Sequence, residues 1–173
     1  MNARVRFTVE NFRSIAERKS IKFVPDSIKD EPKDNVVSAG DCMYLRTTAI
    51  YGANSSGKSN LVEAMACMSS MIVKSVKVND REKLLYMPFK LNNTNKKLPT
   101  LYEVDAVIGG VRYKYCFSNN ESCILSEQLI RIEKSGHENA LFIRTEDGIG
   151  VNEKLFPEGK DLESRTNDNR LFV

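Results

Sequence analysis

The chain has 173 residues, 41% hydrophobic and 28% charged, a length suited to one domain and a composition that excludes a disordered or fibrous chain. Its 26 lysines and arginines stand against 23 acidic residues, a net +3 with the single histidine neutral, which is too even to announce a nucleic-acid protein. No apolar run approaches the roughly 18 residues that cross a bilayer, and Met1-Asn2-Ala3-Arg4 opens no signal peptide, so a cytoplasmic chain with no membrane partner is expected.

Residues 4–10 alternate apolar Val5, Phe7 and Val9 with polar Arg6, Thr8 and Glu10, the period of a strand with one buried face. Residues 20–24 repeat this through Ile21 and Phe23, and the short polar link 13–19 makes the two an antiparallel pair. From 25 to 43 the chain is rich in Asp, Lys, Ser and Pro without periodicity, and a loop is expected. Arg46-Thr47-Thr48-Ala49-Ile50-Tyr51 then reads as a β-branched strand that stops at Gly52.

Leu61, Ala64, Met65, Met68 and Ile72 fall on one helical stripe and predict an amphipathic helix over about 59–74. Strand character returns with Tyr102, Val104, Ala106 and Ile108, breaks at Gly109-Gly110, and resumes with Val111, Tyr113, Tyr115 and Phe117. That is a hairpin, because a two-residue turn needs positive φ at its centre. Further strands are expected over 123–132 and 140–144, the latter turning at Glu146-Asp147-Gly148 into Ile149-Gly150-Val151. Residues 152–169 are polar, and Leu171-Phe172-Val173 reads as the beginning of a further element.

The cysteines, Cys42, Cys67, Cys116 and Cys123, are spaced like neither a metal-ligand pair nor a disulfide framework, and read as reduced and structural. His137, in the loop Ser135-Gly136-His137-Glu138-Asn139, reads as a surface residue. Residues 1–100 carry 17 Lys+Arg against 10 Asp+Glu, whereas 101–173 carry 9 against 13. Arg4, Arg6, Arg18, Lys19 and Lys22 form one candidate nucleic-acid patch, with a solvated strand face of alternating charge as the simpler reading.

The chemistry concentrates in Gly52-Ala53-Asn54-Ser55-Ser56-Gly57-Lys58-Ser59, which fits G-x-x-x-x-G-K-[ST] without departure. Gly57 lets the backbone pass close to a phosphate oxygen, and the loop N–H groups form an anion nest that the head of the following helix extends. Lys58 then supplies a cation to the β- and γ-phosphates, and the Ser59 hydroxyl is placed to ligate Mg²⁺. A nucleoside triphosphate with magnesium is the implied ligand. The nearest match to a guanine-reading Asn/Thr-Lys-x-Asp motif, Asn152-Glu153-Lys154-Leu155, lacks the aspartate.

Val9-Glu10-Asn11-Phe12-Arg13-Ser14-Ile15, followed by Tyr51 to Ser59 and then Asn60-Leu61-Val62-Glu63-Ala64-Met65, resembles the N-terminal lobe of ABC-type ATPases of the RecF, SMC and OLD group. The likeness runs especially to bacterial OLD-like AAA family ATP-binding proteins, many of them associated with phage defence. Met87-Pro88-Phe89-Lys90-Leu91 and Ser126-Glu127-Gln128-Leu129 are similar to the antiparallel β region of those proteins. The resemblance implies an α/β (α+β) P-loop NTPase fold and a single N-terminal lobe over 1–173, with the phosphate loop at 52–59 and an antiparallel β region over about 85–151. It implies ATP and Mg²⁺ as ligands, with Gly52, Ala53, Asn54, Ser55, Ser56, Gly57, Lys58, Ser59, Asn60, Arg13 and Ser14 at the nucleotide. It also implies a glutamine that senses the γ-phosphate and metal, for which Gln128 is the only glutamine in the chain.

Against the group's pattern, the chain has no hydrophobic strand ending in Asp-Glu, no signature Ser-Gly-Gly and no switch histidine. Tyr102-Glu103-Val104-Asp105 alternates and belongs to the hairpin. The expectation is therefore an incomplete lobe without catalytic residues or appreciable turnover of its own, whose partners are the C-terminal half of the ATPase, a second ATPase head, and DNA or a nuclease or effector subunit. The alternative is a non-hydrolysing nucleotide-binding or assembly module.

Overall fold

Period-two alternation builds most of the molecule. The computed structural model describes residues 3–25, 33–39, 42–79 and 82–173. Its strands are β1 (Ala3–Glu10), β2 (Lys19–Lys22), β3 (Val36–Ala39), β4 (Cys42–Leu45), β5 (Thr100–Ile108), β6 (Val111–Asn119), β7 (Ile124–Ile132), β8 (Glu138–Thr145) and β9 (Gly148–Val151). One helix, α1 (Lys58–Lys74), stands between β4 and β5 in the chain. Seven strands form an antiparallel sheet in the order β2-β1-β5-β6-β7-β8-β9, while β3 and β4 form a separate hairpin. Pairing of β1 with β5 returns the chain to its first strand after α1, so the helix and the loop before it are held beside the β1–β2 turn.

The two faces of the sheet differ as the alternation requires. Phe7, Val9, Tyr102, Phe117 and Phe142 point to one side and meet Ala64, Met68 and Met71 of α1, with Leu61, Met65 and Ile72 half-buried against the same cluster. Each fully buried apolar side chain of this kind contributes about 1.5–3 kcal/mol relative to exposure. Phe12 in the turn after β1, Tyr102 on β5 and Phe117 on β6 follow one another at centroid separations of 6.1 and 5.2 Å, within the range where aromatic pairs attract. The other face is polar. Glu103 accepts hydrogen bonds from Arg6 (2.8 Å) and Arg18 (2.6 Å), and Asp105 from Arg112 (3.2 Å). At the β5–β6 turn Gly109 and Gly110 take φ of 59° and 84°, the backbone that a two-residue hairpin requires.

Two expectations are corrected. The run 46–51 is not a strand: a β-branched sequence pairs only where a neighbour offers a ladder, and among the described residues Asn35 alone does so. Its carbonyl accepts Arg46 N–H (2.8 Å) and its side-chain amide holds both backbone groups of Thr47 (2.8 and 2.9 Å). Within the expected loop 25–43, residues 36–39 are β3, paired to β4 and covered at Tyr44 by Val107; the sparse apolar residues there concealed the hairpin. Residues 26–32 and 40–41 of that stretch lie outside the described residues.

Leu171 and Phe172 of the segment read as the beginning of a further element pack into the core of this fold. Leu171 and Phe172 are buried, and the Phe172 ring meets Phe142 edge-on at 4.8 Å. Glu127 on β7 accepts the Phe172 N–H (2.9 and 3.0 Å) and the Val173 N–H (3.4 Å), while Ser75, just past α1, exchanges hydrogen bonds with both backbone groups of Leu171. Arg144 on β8 donates to the carbonyls of Arg170 (2.6 Å), Asp168 (3.1 Å) and Asn167 (3.3 Å).

Candidate phosphate-binding site

The loop 52–57 is exposed apart from half-buried Gly57, and it delivers the chain into α1 through that residue in the left-handed region (φ 89°, ψ 6°). Gly57 precedes the first helical residue, and its carbonyl accepts the Leu61 N–H at 3.1 Å, which starts the helical ladder. With glycine at this position no side chain caps the helix, and the first turn holds no acidic residue. The amides at the head of α1 thus face outward with the positive end of the helix dipole. A Cβ on Gly57 would stand 3.2 Å from Ser14 Oγ in a backbone conformation that side chains disfavour. Gly57→Ala is therefore expected to destabilise the fold by about 1–2 kcal/mol and to weaken phosphate binding, read together from a urea unfolding curve and a nucleotide titration.

Lys58 closes the loop on itself. Its Nζ donates to Gly52 O (2.8 Å) and Ala53 O (2.6 Å), and reaches Ser56 Oγ at 3.4 Å. One ammonium is thus suspended across the mouth of an eight-residue loop whose other side chains carry no charge. An entering phosphate meets this cation and the positive end of the helix dipole together.

Beside the loop lies the turn between β1 and β2. Asn11 and Arg13 both take positive φ (53° and 48°), and Phe12 and Ile15 bond each other's backbone at 2.7 and 2.8 Å. Buried Asn11 secures this conformation: its amide donates to Asn95 O, Leu98 O and Pro99 O, and its Oδ1 accepts the Phe89 N–H at 3.0 Å. The turn is tied to α1 at two points. Asn60 Nδ2 donates to Ser14 Oγ (2.6 Å), and the Arg13 guanidinium pairs with Glu63. The structure therefore brings Arg13, Ser14 and Asn60 to the head of α1, with Ser14 against Gly57. Sequence reasoning passed over Asn11 and Glu63; an asparagine where the chain turns sharply was a usable signal for the first. The Cys67 thiol, close to this pair, is pushed above its ordinary range by burial and then by Glu63, against the opposing pull of Arg13.

Ser59 is exposed in the first turn of α1, where its hydroxyl is a neutral oxygen donor of the kind Mg²⁺ takes. Gln128 is not brought to it. It alternates with Glu127 and Leu129, so it lies on the sheet face turned away from α1, where its amide donates to Cys116 Sγ at 3.1 Å. Among the described residues no three His, Cys, Asp or Glu side chains cluster as metal ligands. Cys67, Cys116 and Cys123 are free thiols, and His137 is exposed in the β7–β8 turn. Of the basic patch, Arg6 and Arg18 are both spent on Glu103, while Arg4, Lys19 and Lys22 are exposed. Among the described residues no helix is long and apolar enough to cross a membrane.

The family described as "AAA domain, putative AbiEii toxin, Type IV TA system" matches residues 47–169, which takes in the whole phosphate loop, α1 and the sheet from β5 to β9. No curated protein and no solved structure matches the chain.

Proposed function

The chain belongs to this AAA-domain family, whose fold is that of a nucleotide-binding P-loop ATPase, and from that premise we propose that it is the ATP- and Mg²⁺-binding N-terminal lobe of an ABC-type ATPase of the OLD, RecF and SMC kind. The observation that carries the reading is the loop 52–59, which sets Gly57 in the left-handed region at the head of a 17-residue helix with Lys58 across its mouth. Loop amides and helix head hold the β-phosphate, Lys58 reaches the β- and γ-phosphates, and the Ser59 hydroxyl would hold the metal. Magnesium supplies charge neutralisation at those oxygens when bound. Arg13 and Ser14 border the same nucleotide from the β1–β2 turn.

In this reading a further polypeptide segment, the C-terminal half of the ATPase, covers the outer side of α1. Val62, Val73 and Val76 are 52, 77 and 83% exposed there, on or just past a helix that carries only Lys58, Glu63 and Lys74 as charges. A helix so nearly free of charge is suited to burial on both sides. The same segment supplies ladder partners for residues 48–51 and the acidic pair that polarises water, so hydrolysis belongs to the assembled enzyme with a second head across the nucleotide. DNA, or a nuclease or effector subunit, is the partner on which the cycle acts, in defence or repair. Titrating a fluorescent ATP analogue with and without magnesium tests the reading: saturable, magnesium-dependent binding that unlabelled ATP displaces is expected, and an unresponsive loop overturns it.

A further inference from the structure

The polar face of the sheet, turned away from α1, carries a second concentration of cations. A cleft of about 520 Å³ opens on it, where Arg6, Lys22, Arg112 and Lys114 stand against two carboxylates, Asp105 and Glu138. We propose that this cleft binds a compact multivalent oxyanion, a diphosphate or the phosphate end of a small organic ester. The site shares no residue with the phosphate loop or with α1, so it stands or falls apart from the nucleotide reading.

Strand register builds this charge into the sheet. Arg6 on β1 directly faces Lys22 on β2, and like charges so placed destabilise a strand pair, a cost that a bound anion removes. The neighbouring carboxylates do not remove it. Asp105 Oδ2 is shared between Arg6 (3.4 Å) and Arg112 (3.2 Å), Arg6 also serves Glu103, and Lys114 turns to Glu138 at 2.7 Å. Donors are left over. Lys22 is exposed and makes no ion pair among the described residues. Arg112 spends one of its five N–H donors on Asp105, and its Nε, like that of Arg6, is enclosed without a hydrogen-bond partner among the described residues. Buried donors in folded proteins are almost always satisfied, so two of them beside one cleft point to an acceptor that the described chain does not supply. The Arg6 and Arg112 side chains are 34 and 40% exposed, which leaves both guanidinium groups room to turn that edge toward a ligand.

Shape sets the size of the ligand. In the sheet order β2 and β8 lie on opposite sides of β1, β5, β6 and β7, so Val24, just past β2, and Glu138, at the start of β8, stand at opposite ends of the cleft. Tyr44 of the β3–β4 hairpin, packed on Val107, borders it between them. The volume lies within the about 300–1,000 Å³ of small-molecule sites and suits a compact anion, not a polymer running across the face. Half-buried Val5, Val24 and Ile132 offer the carbon body of an ester an apolar wall. An arginine beside a lysine matches phosphate, the planar fork taking two oxygens and the ammonium a third.

Calorimetric titration with inorganic pyrophosphate at constant ionic strength tests this, carried out on the Lys58→Ala chain so that the phosphate loop contributes little. Saturable binding is expected. Adding Lys22→Gln or Arg112→Gln is expected to weaken it at least about tenfold, since each removes a charge-assisted hydrogen bond. Lys22→Gln also relieves the facing like charge on Arg6, so its urea midpoint without pyrophosphate is expected to hold or rise, which separates lost binding from lost folding. Absence of saturable binding in Lys58→Ala overturns the proposal, as does binding that neither cleft substitution weakens. A short single-stranded oligonucleotide that displaces pyrophosphate at about a hundredfold lower concentration also overturns it, because the face then serves an extended polyanion. Each of these results leaves ATP binding at the phosphate loop to be judged on its own titration.

Discussion

Lys58→Ala is expected to weaken ATP binding about a hundredfold while leaving the unfolding midpoint nearly unchanged. A hydrogen bond from an ammonium to a charged oxygen is worth about 1.5–3 kcal/mol, and a phosphate-loop lysine makes two of them. The gross gain is therefore about 3–6 kcal/mol. Against this, the ammonium already bonds Gly52 O and Ala53 O in the free loop, and those contacts must be shared or surrendered when phosphate enters. Because the loop is solvent-facing, those contacts are worth less than the ones replacing them, and a net of about 3 kcal/mol corresponds to roughly a hundredfold in Kd. Stability responds differently. Lys58 is only half-buried at the first position of α1, where alanine is as good a helix former, so a shift within about 0.5 kcal/mol is expected. A large loss of affinity with an unmoved urea midpoint attributes the effect to the cation; unchanged affinity removes Lys58 from the site.

The parts legible in sequence are those whose cause is local. Gly109-Gly110 demands a particular backbone whatever surrounds it, and the hairpin it joins follows. The G-x-x-x-x-G-K-[ST] spacing is likewise a local requirement, in which the glycine at 57 and the lysine at 58 each answer to a phosphate and not to a distant residue. What the sequence hid is what depends on distant neighbours. Residues 46–51 carry every propensity of a strand, but propensity states only a fitness for a pleated, flanked position, and among the described residues the flank here is a single asparagine. Asn11 reads as an ordinary polar residue until its amide is seen to satisfy three carbonyls from 84 to 88 residues away. Glu127 and Arg144 are charged residues on alternating strands, and nothing adjacent to them in the chain says that both are inside.

That buried pair carries the largest stability effect expected in the molecule: Glu127→Ala or Arg144→Ala should each cost about 3–5 kcal/mol, a large share of a small domain's total. The two side chains are 0 and 6% exposed and 3.8 Å apart, so neither charge has water to fall back on. Tyr115 adds a hydrogen bond to Glu127 at 2.8 Å, the backbone of residues 167–173 bonds both, and the exposed Asp168 carboxylate stands 3.7 Å from Arg144. Removing one partner strands the other charge together with the orphaned backbone groups of the terminal segment. Removing both costs less than the sum of the single losses, since the double variant leaves no charge uncompensated.

The sign of the pH dependence checks the cause. Burial pushes the Glu127 carboxyl above its ordinary range, opposed by the N–H of Phe172, the Tyr115 hydroxyl and Arg144. A carboxyl raised in the folded state contributes stability that is fully present below its unfolded value and lost as pH rises through its folded value. Taking away the Arg144 guanidinium removes one of the opposing influences and raises the group further. The deficit of Arg144→Ala relative to the parent chain should therefore shrink as pH falls from 7 toward 5, because protonation relieves the stranded charge. Urea unfolding of both chains across that interval reads it directly, and a deficit that is flat or grows on acidification would show that lost packing, not the stranded carboxylate, is the source.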